Sequence, residues 1–218
     1  MRLLLIRHGQ TIDNVKGELG TVVPGPGLTE LGHRQAAAVP DALAGESIDA
    51  IVVSTMTRTQ ETAAPLAERL GLTPRILDGL QEISAGIFEG RGDKEAVSAY
   101  LRTLLSWWDD FDARLPGGES GADFVARYSG AIADAVSAHP EGTVAVFSHG
   151  AAIRTWASWF SQNIDASTSL ALELHNTAVV VLEGSPETGW VCVEWAGEPL
   201  GGPALDDPGA PDPTADAV

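Results

Sequence analysis

Cysteine and positive charge are both scarce in this chain of 218 residues. The single cysteine, Cys192, cannot form an internal disulfide, and its apolar neighbours predict a packed strand residue. The chain has 13 Lys and Arg residues against 30 Asp and Glu residues, which gives a formal net charge of −17. This acidic balance argues against nucleic acid and against an anionic membrane surface as partners.

Long apolar runs and the common cofactor motifs are missing as well. No apolar stretch approaches the roughly 20 residues of a membrane-spanning helix, and the first residues have the pattern of a strand instead of a leader, so we expect a cytoplasmic protein. There is no dinucleotide fingerprint, no Walker loop and no zincin spacing, so neither a cofactor nor a metal ion is expected. Residues 118–122 resemble a nucleophile elbow, but they end in Ala and follow a loop, which disfavours a serine hydrolase.

Short apolar runs alternate along the chain with amphipathic patterns. Strands are predicted near residues 3–6, 50–53, 76–77, 144–147, 171–174, 178–182 and 190–195. Helices are predicted over residues 30–43, 57–70, 95–111, 122–138 and 153–160. Pro40 is expected to kink or shorten the first helix, and Pro65 to strain the second. The alternation of strands and helices is typical of the α/β class.

The length and the 44% hydrophobic content fit one domain, which we place at residues 1–196. From Gly197 onward Pro, Gly and Asp become frequent and large apolar residues almost disappear. Such a segment cannot bury enough apolar surface to order itself, so residues 197–218 are predicted to be a disordered tail.

Two His-Gly pairs follow two of the predicted strands. His8-Gly9 comes directly after the first strand, and His149-Gly150 comes after the strand at 144–147. Ligands of open α/β sheets bind outside the carboxyl ends of the strands, so both histidines are expected in one site. The glycines allow a sharp turn and the close approach of a ligand. The alternative for His149 is a hydrogen-bonded core histidine.

Two arginines are expected to converge on the same edge. Arg7 precedes His8, and Arg58 lies at the start of the helix that follows the second strand. Helix N-termini favour anions, and guanidinium groups bind phosphate through paired hydrogen bonds. A histidine among them acts as a nucleophile if one ring nitrogen donates to a carbonyl group while the other is unprotonated, and neighbouring arginines favour that neutral form.

Six motif blocks, in order between residue 2 and about residue 183, resemble the histidine phosphatase superfamily in its phosphoglycerate mutase-like branch. The blocks are Arg7-His8-Gly9-Gln10-Thr11 with Asn14; Leu28-Thr29-Glu30-Leu31-Gly32 with Gln35-Ala36; Ser54 with Arg58 and Thr62-Ala63; Leu80-Gln81-Glu82 with Phe88-Glu89-Gly90; Pro116-Gly117-Gly118-Glu119-Ser120; and Ser148-His149-Gly150 with Ile153-Arg154. The other branch would carry an arginine and a proline soon after the tripeptide and a late His-Asp pair. The resemblance implies a three-layer α/β/α sandwich with a mostly parallel central sheet.

The resemblance also assigns catalytic roles. His8 matches the nucleophile that becomes phosphohistidine. Glu82 matches the general acid that protonates the leaving alcohol and later takes a proton from water, which requires a raised pKa. His149 matches a further catalytic residue that also binds the phosphoryl group.

The phosphate-binding residues implied by the resemblance are Arg7, Arg58, Asn14 and His149. Gln10 and Thr11 are candidate substrate contacts, and Gln10 stands where many family members have Glu. The segment over residues 83–120 matches the variable cover of the family, which contributes to the choice of leaving group. The implied partner is a small-molecule phosphate ester; the oligomeric state stays open, with a homodimer among the options.

Three functions are weighed on this basis. The favoured one is a metal-independent phosphomonoesterase that works through phosphohistidine. The alternative enzyme is a cofactor-primed phosphoglycerate mutase, which needs a bisphosphorylated primer and a cover that excludes water. The chain lacks the longer insertion of dedicated mutases, which favours hydrolysis. A non-catalytic phosphate-binding module would be expected to lack the acid or the nucleophile, and this chain keeps both.

Overall fold

In the described part of the chain, residues 1–165, 168 and 171–214 of a computed structural model, six strands form one central sheet. The strands are β1 (Arg2–Arg7), β2 (Ala50–Ser54), β3 (Arg75–Leu77), β4 (Thr143–Ser148), β5 (Val179–Ser185) and β6 (Gly189–Ala196). The helices are α1 (Ile12–Lys16), α2 (Glu30–Ala42), α3 (Thr57–Leu70), α4 (Lys94–Ser106), α5 (Gly121–Ser137) and α6 (Gly150–Phe160).

The sheet has the strand order β3-β2-β4-β1-β5-β6. The four strands from β3 to β1 are parallel, whereas β5 and β6 run antiparallel at the other side. A mostly parallel sheet with interleaved helices confirms the predicted α/β class.

The apolar residues of β1 pack on both faces of the sheet. Leu3 and Leu5 belong to the core that includes the buried faces of α5 and α6, and Leu4 and Ile6 belong to the core beneath α2 and α3. Because successive strand residues point to opposite faces, four consecutive apolar residues require cover on both sides. This arrangement confirms the three-layer α/β/α sandwich.

Two predicted elements differ from the structure. Helix α4 ends at Ser106 instead of residue 111, because Trp107 turns into the core and its Nε1 donates to the carbonyl of Ala113 at 2.7 Å. Residues 171–174 do not form a strand. Their carbonyl groups bind guanidinium groups instead: Arg7 Nη1 donates to Leu174 O at 2.7 Å, and Arg154 Nη1 donates to Leu172 O.

Helices α2 and α3 each contain a proline. Pro40 lies two residues before the end of α2, in agreement with a shortened helix, whereas α3 continues through Pro65 to Leu70. Gly71 ends α3 with a φ of 66°, a left-handed conformation that favours glycine. In the described residues, no helix is long and apolar enough to cross a membrane.

Residues 197–214 run back along the carboxyl edge of the sheet, which differs from the disorder that the sequence predicts for residues 197–218; residues 215–218 lie outside the described part of the chain. Gln35 Nε2 donates to Leu205 O at 2.8 Å, Gln10 Nε2 donates to Asp207 at 2.8 Å, and Asp212 forms an ion pair with Arg7. The tail has few large apolar residues, and these polar contacts hold it instead. The domain boundary at residue 196 stays a prediction.

Strand register brings the motif blocks together. Arg7 at the end of β1 lies opposite Ser148 at the end of β4, and β2 flanks β4 on the other side. The residues that follow these three strands therefore emerge side by side at the carboxyl edge of the sheet, where a ligand site is expected.

Candidate active site

His8 and His149 lie next to each other at the carboxyl edge of the sheet. The backbone N–H of His8 donates to Ser148 O at 3.0 Å, which joins the ends of the two strands. The centroids of the two imidazole rings are 5.2 Å apart. The structure thus brings together the two His-Gly pairs that are far apart in the sequence.

The His8 ring is oriented by its own backbone. Nδ1 lies 2.8 Å from the carbonyl oxygen of Gly9, and since a carbonyl oxygen only accepts, Nδ1 carries the proton and Nε2 keeps its lone pair. Burial, together with the positive charges of Arg58 and Arg7, holds the pKa of His8 well below its usual value of 6.5. His8 is therefore a neutral base with an unprotonated Nε2 at neutral pH.

His149 carries its proton on the other nitrogen. Arg58 Nε donates to His149 Nδ1 at 3.2 Å, so the proton of the neutral ring lies on Nε2, which donates to Ser54 Oγ at 2.8 Å. Burial, and then the charge of Arg58, holds the pKa of His149 well below its usual value. In this arrangement His149 orients the guanidinium group of Arg58.

Arg7 is completely buried beneath the start of α6. Its Nη2 pairs with Asp212 and donates to Thr214 Oγ1 at 2.9 Å. Its Nε has no hydrogen-bond partner among the described residues. A Cβ atom added at Gly150 would lie 3.0 Å from this Nε, so glycine allows α6 to begin directly above the guanidinium group.

Arg58 supplies a second buried guanidinium group. Nη2 donates to Gly20 O at 3.0 Å, while Nη1 is buried without a partner in the part of the chain that the structure describes. Burial lowers the pKa of Arg58 to about 10, so the group stays charged at neutral pH. Two buried cations with unused donors fit an anion such as a phosphoryl group, because an unpaired buried donor is otherwise costly.

Glu82 is held by the first turn of α6. Oε1 accepts hydrogen bonds from the backbone N–H groups of Ile83 and Ala152, both at 2.9 Å, whereas Oε2 accepts one from Ala151 at 3.1 Å. Burial raises the pKa of Glu82 against these hydrogen bonds and the charge of Arg58, which lower it. Oε2, with a single donor, has room for a proton.

Asn14 and Thr11 form the capping box of α1. Asn14 Oδ1 accepts from Thr11 N at 2.9 Å, and Asn14 Nδ2 donates to Asp212 Oδ2 at 2.9 Å. The box fixes the Asn14 amide with its N–H group towards the Asp212 carboxylate, which Arg7 also binds.

A cavity lies between these groups and is lined by five of the predicted residues: His8, Thr11, Asn14, Arg58 and Glu82. Gln10 does not line it, because its amide donates to Asp207 and accepts from Thr29 Oγ1 at 2.8 Å. Gln10 therefore faces the tail instead of the cavity.

Several residues at the site were not found by sequence reasoning. Asn176 Nδ2 donates to His8 O at 3.1 Å, and Tyr100 of α4 lines the cavity and donates to Ile83 O at 3.0 Å. Arg127 of α5 donates to Gln81 O at 2.9 Å and Glu82 O at 3.2 Å. No local sequence pattern marked Asn176 or Arg127 as a site residue.

In the described residues, no group of three or more His, Cys, Asp or Glu side chains is arranged to hold a metal ion. The ionisable groups that converge there include two neutral imidazoles, two guanidinium groups and the buried carboxyl groups of Glu82 and Asp212. This set can bind a phosphoryl group, attack it from an imidazole nitrogen and exchange a proton with an adjacent oxygen.

The chain is similar in sequence and in structure to known phosphatases. The family model of the histidine phosphatase superfamily (branch 1) matches residues 3–197. A glucosyl-3-phosphoglycerate phosphatase of Mycobacterium tuberculosis is 35% identical over 144 residues, which cover 64% of this chain and 62% of that protein. A structure of the mycobacterial glucosyl-3-phosphoglycerate phosphatase with VO3 has a TM-score of 0.75 at 29% identity and covers 89% of this chain and 98% of that chain.

Two further relatives differ in how much of their length is matched. The PE-PGRS family protein PE_PGRS11 of Mycobacterium tuberculosis is 39% identical over 217 residues, which cover 92% of this chain but 37% of that protein. The chain thus spans just over a third of PE_PGRS11 and less than two thirds of the curated phosphatase. A "probable phosphoglycerate mutase GpmB" of an Enterobacter species is 32% identical over 219 residues, which cover 95% of this chain and 98% of that protein.

Proposed function

Because the chain belongs to branch 1 of the histidine phosphatase superfamily, we propose that it hydrolyses a small phosphate monoester through a phosphohistidine on His8. The observation that carries this proposal is the protonation pattern of His8: Nδ1 donates to Gly9 O, so Nε2 is free to attack. The similarity to a glucosyl-3-phosphoglycerate phosphatase supports hydrolysis and a phosphorylated metabolite as the substrate.

In the first step the phosphoryl group of the ester binds between Arg7, Arg58 and Asn14. His8 Nε2 attacks the phosphorus atom, and the bond from phosphorus to the ester oxygen breaks. The guanidinium groups stabilise the charge on the transferred group, which is the main source of catalysis in phosphoryl transfer. His149 holds Arg58 in place through the 3.2 Å hydrogen bond from Nε.

Glu82 supplies the proton for the leaving oxygen. Protonated Glu82 transfers its proton to that oxygen as the bond breaks, and the alcohol leaves. The resulting carboxylate then takes a proton from a water molecule that attacks the phosphohistidine. The bond from phosphorus to nitrogen breaks, its electron pair returns to Nε2, and inorganic phosphate is released with Glu82 protonated again.

The test is hydrolysis of p-nitrophenyl phosphate in the presence of EDTA. We expect turnover with the chelator present, and His8→Ala is expected to reduce activity to the uncatalysed background and to remove an acid-labile phosphoryl group from protein quenched during turnover. His33→Ala, at an exposed histidine of α2, is the matched control and is expected to keep full activity. Loss of activity on chelation would overturn the metal-independent mechanism.

A mutase is the second candidate, because a relative named as a probable phosphoglycerate mutase matches nearly the full length of this chain. Both reactions pass through the same phosphohistidine and differ in whether water or product takes the phosphoryl group. Faster interconversion of 3-phosphoglycerate and 2-phosphoglycerate than release of phosphate would favour the mutase. Phosphate binding without turnover of any ester would instead favour the non-catalytic module. The cytoplasmic location and the homodimer stay predictions.

A further inference from the structure

The chain's own tail lines one side of the cavity at His8. The Asp212 carboxylate pairs with Arg7 and accepts a hydrogen bond from Asn14 Nδ2 at 2.9 Å. Thr214 Oγ1 accepts a second hydrogen bond from Arg7 at 2.9 Å. Arg7 and Asn14 are the groups expected to bind substrate phosphate, and Asp212 is 6% exposed. A carboxylate, with its two anionic oxygens, therefore lies where phosphate oxygens are expected.

A second groove adjoins this cavity, and it is mostly apolar. Its apolar lining comes from one face of α4, the start of α6 and the tail: Leu101, Leu104, Leu105, Trp108, Ala151 and Pro213. Pro213 and Thr214 line both the groove and the cavity, so the two spaces meet at the tail.

The groove lies on the side of the site where the leaving group departs. Glu82 must reach the leaving oxygen, and its Oε2 accepts from the backbone N–H of Ala151, whose residue lines the groove. A substituent on the leaving oxygen therefore extends from Glu82 towards this apolar surface. Pro213, next to Asp212, follows the same path from the phosphate position into the groove.

We propose that the substrate is a phosphate monoester of an apolar alcohol, with the phosphate at the Asp212 position and the apolar group in the groove, and that the Asp212-Pro213-Thr214 segment occupies both places when substrate is absent. The substrate class rests on the proposed phosphatase function, whereas the occupation by the tail does not. The tail competes within the same molecule, so it raises the apparent dissociation constant of any ligand in the cavity.

The first experiment measures kcat/KM for ethyl, butyl and hexyl phosphate. Burial of each added methylene group in the groove is expected to raise kcat/KM about fourfold. Trp108→Ala is expected to flatten this dependence. Phe111→Ala is the matched control, because Phe111 is as exposed as Trp108, at 41%, but does not line the groove.

The second experiment measures binding of inorganic phosphate by calorimetry, which needs no turnover. Asp212→Asn removes the charge that pairs with Arg7, so phosphate is expected to bind about tenfold more tightly. Glu198→Gln removes an equal charge from an exposed side chain of the same tail and is expected to leave binding unchanged.

The two experiments distinguish failure of the apolar subsite, of the phosphatase function and of the proposed position of the tail. Equal kcat/KM for all three esters would overturn the apolar subsite while hydrolysis itself stands. No hydrolysis of any ester would overturn the proposed function and, with it, the substrate class; the phosphate titration would still decide on the tail. Unchanged phosphate binding in Asp212→Asn would overturn the occupation of the site by the tail.

Discussion

At the scale of single residues, the protonation states of His8 and Glu82 decide the chemistry. Burial acts in opposite directions on the two groups, because it disfavours the charged form of each: it lowers the pKa of the imidazole and raises that of the carboxyl. Burial thus favours the neutral form of both groups in one cavity. This pairing is what attack on phosphorus with protonation of the leaving oxygen requires.

The pH dependence of kcat/KM follows from these two groups. Activity needs unprotonated His8, so it is expected to fall on the acid side only well below pH 6.5. It also needs protonated Glu82, so it is expected to fall as pH rises through the raised pKa of that group. Glu82→Gln is expected to lower the rate for an alkyl phosphate at least about a hundredfold and to remove the alkaline limb. An alkaline limb that persists in this variant would contradict the role of Glu82.

Sequence motifs indicated the residues that we propose to contact the substrate, but not those that hold them. His8, His149, Arg7 and Arg58 lie at strand or helix ends, Glu82 lies in the loop after β3, and the structure brings all five together. Asn176 contacts His8 only through the fold, so its role follows from three-dimensional position and not from local spacing.

At the scale of elements, helix α5 fixes the loop that carries Glu82. Arg127 donates to Gly79 O at 2.8 Å, to Gln81 O at 2.9 Å and to Glu82 O at 3.2 Å, and Glu119 pairs with the same guanidinium group. These contacts use the planar geometry of arginine, which lysine does not reproduce. Arg127 is therefore a positioning residue for the general acid.

Arg127→Lys is expected to lower kcat for an alkyl phosphate about tenfold or more, because Glu82 is held less precisely. The loss is expected to be smaller for p-nitrophenyl phosphate, whose leaving group needs little protonation. KM is expected to change little. Arg102→Lys, at an exposed arginine of α4, is the control. Equal losses for both substrates would indicate a merely structural effect.

The elements that the sequence placed wrongly share one cause. The apolar pattern at residues 171–174 predicts a strand, but arginine side chains from β1 and α6 donate hydrogen bonds to the carbonyl groups of this segment. The apolar helical pattern of α4 continues past Ser106, but the Trp107 side chain packs in the core and the helix ends there. In both places tertiary contacts override the local pattern, whereas the strand-helix alternation itself was predicted because it depends on local periodicity.

At the scale of the whole molecule, the buried histidines couple stability to pH. His8 and His149 have pKa values well below 6.5 in the folded protein, so the unfolded chain binds more protons as pH falls through 6.5. Their contribution to stability is fully present above pH 6.5 and is lost below it, until the pKa values of the folded state are reached.

Thermal unfolding is therefore expected to shift to lower temperature between pH 7.5 and pH 5.5. His149→Asn is expected to reduce this shift, because one of the two groups is removed. His33→Asn, at an exposed histidine of α2, is expected to keep the full pH dependence. A melting temperature that does not change over this range would contradict the neutral buried state of the two imidazoles.

The path of the tail could not be predicted from its composition. Pro, Gly and Asp predict disorder because they bury little apolar area, yet Asp212 and Thr214 find a buried arginine. Only the assembled cationic site makes these contacts available. The choice between order and disorder here depends on a partner that lies at the other end of the chain.

The position of β1 in the sheet has a consequence for biosynthesis. β1 is synthesised before the other described strands of this sheet, and it lies between β4 and β5, both of which come from the second half of the chain. Its apolar residues therefore have no strand partners until most of the polypeptide has been made. Pairing of strands over such sequence distances is slow. Nascent chains that stop before β4 leave this strand unpaired, which favours their aggregation.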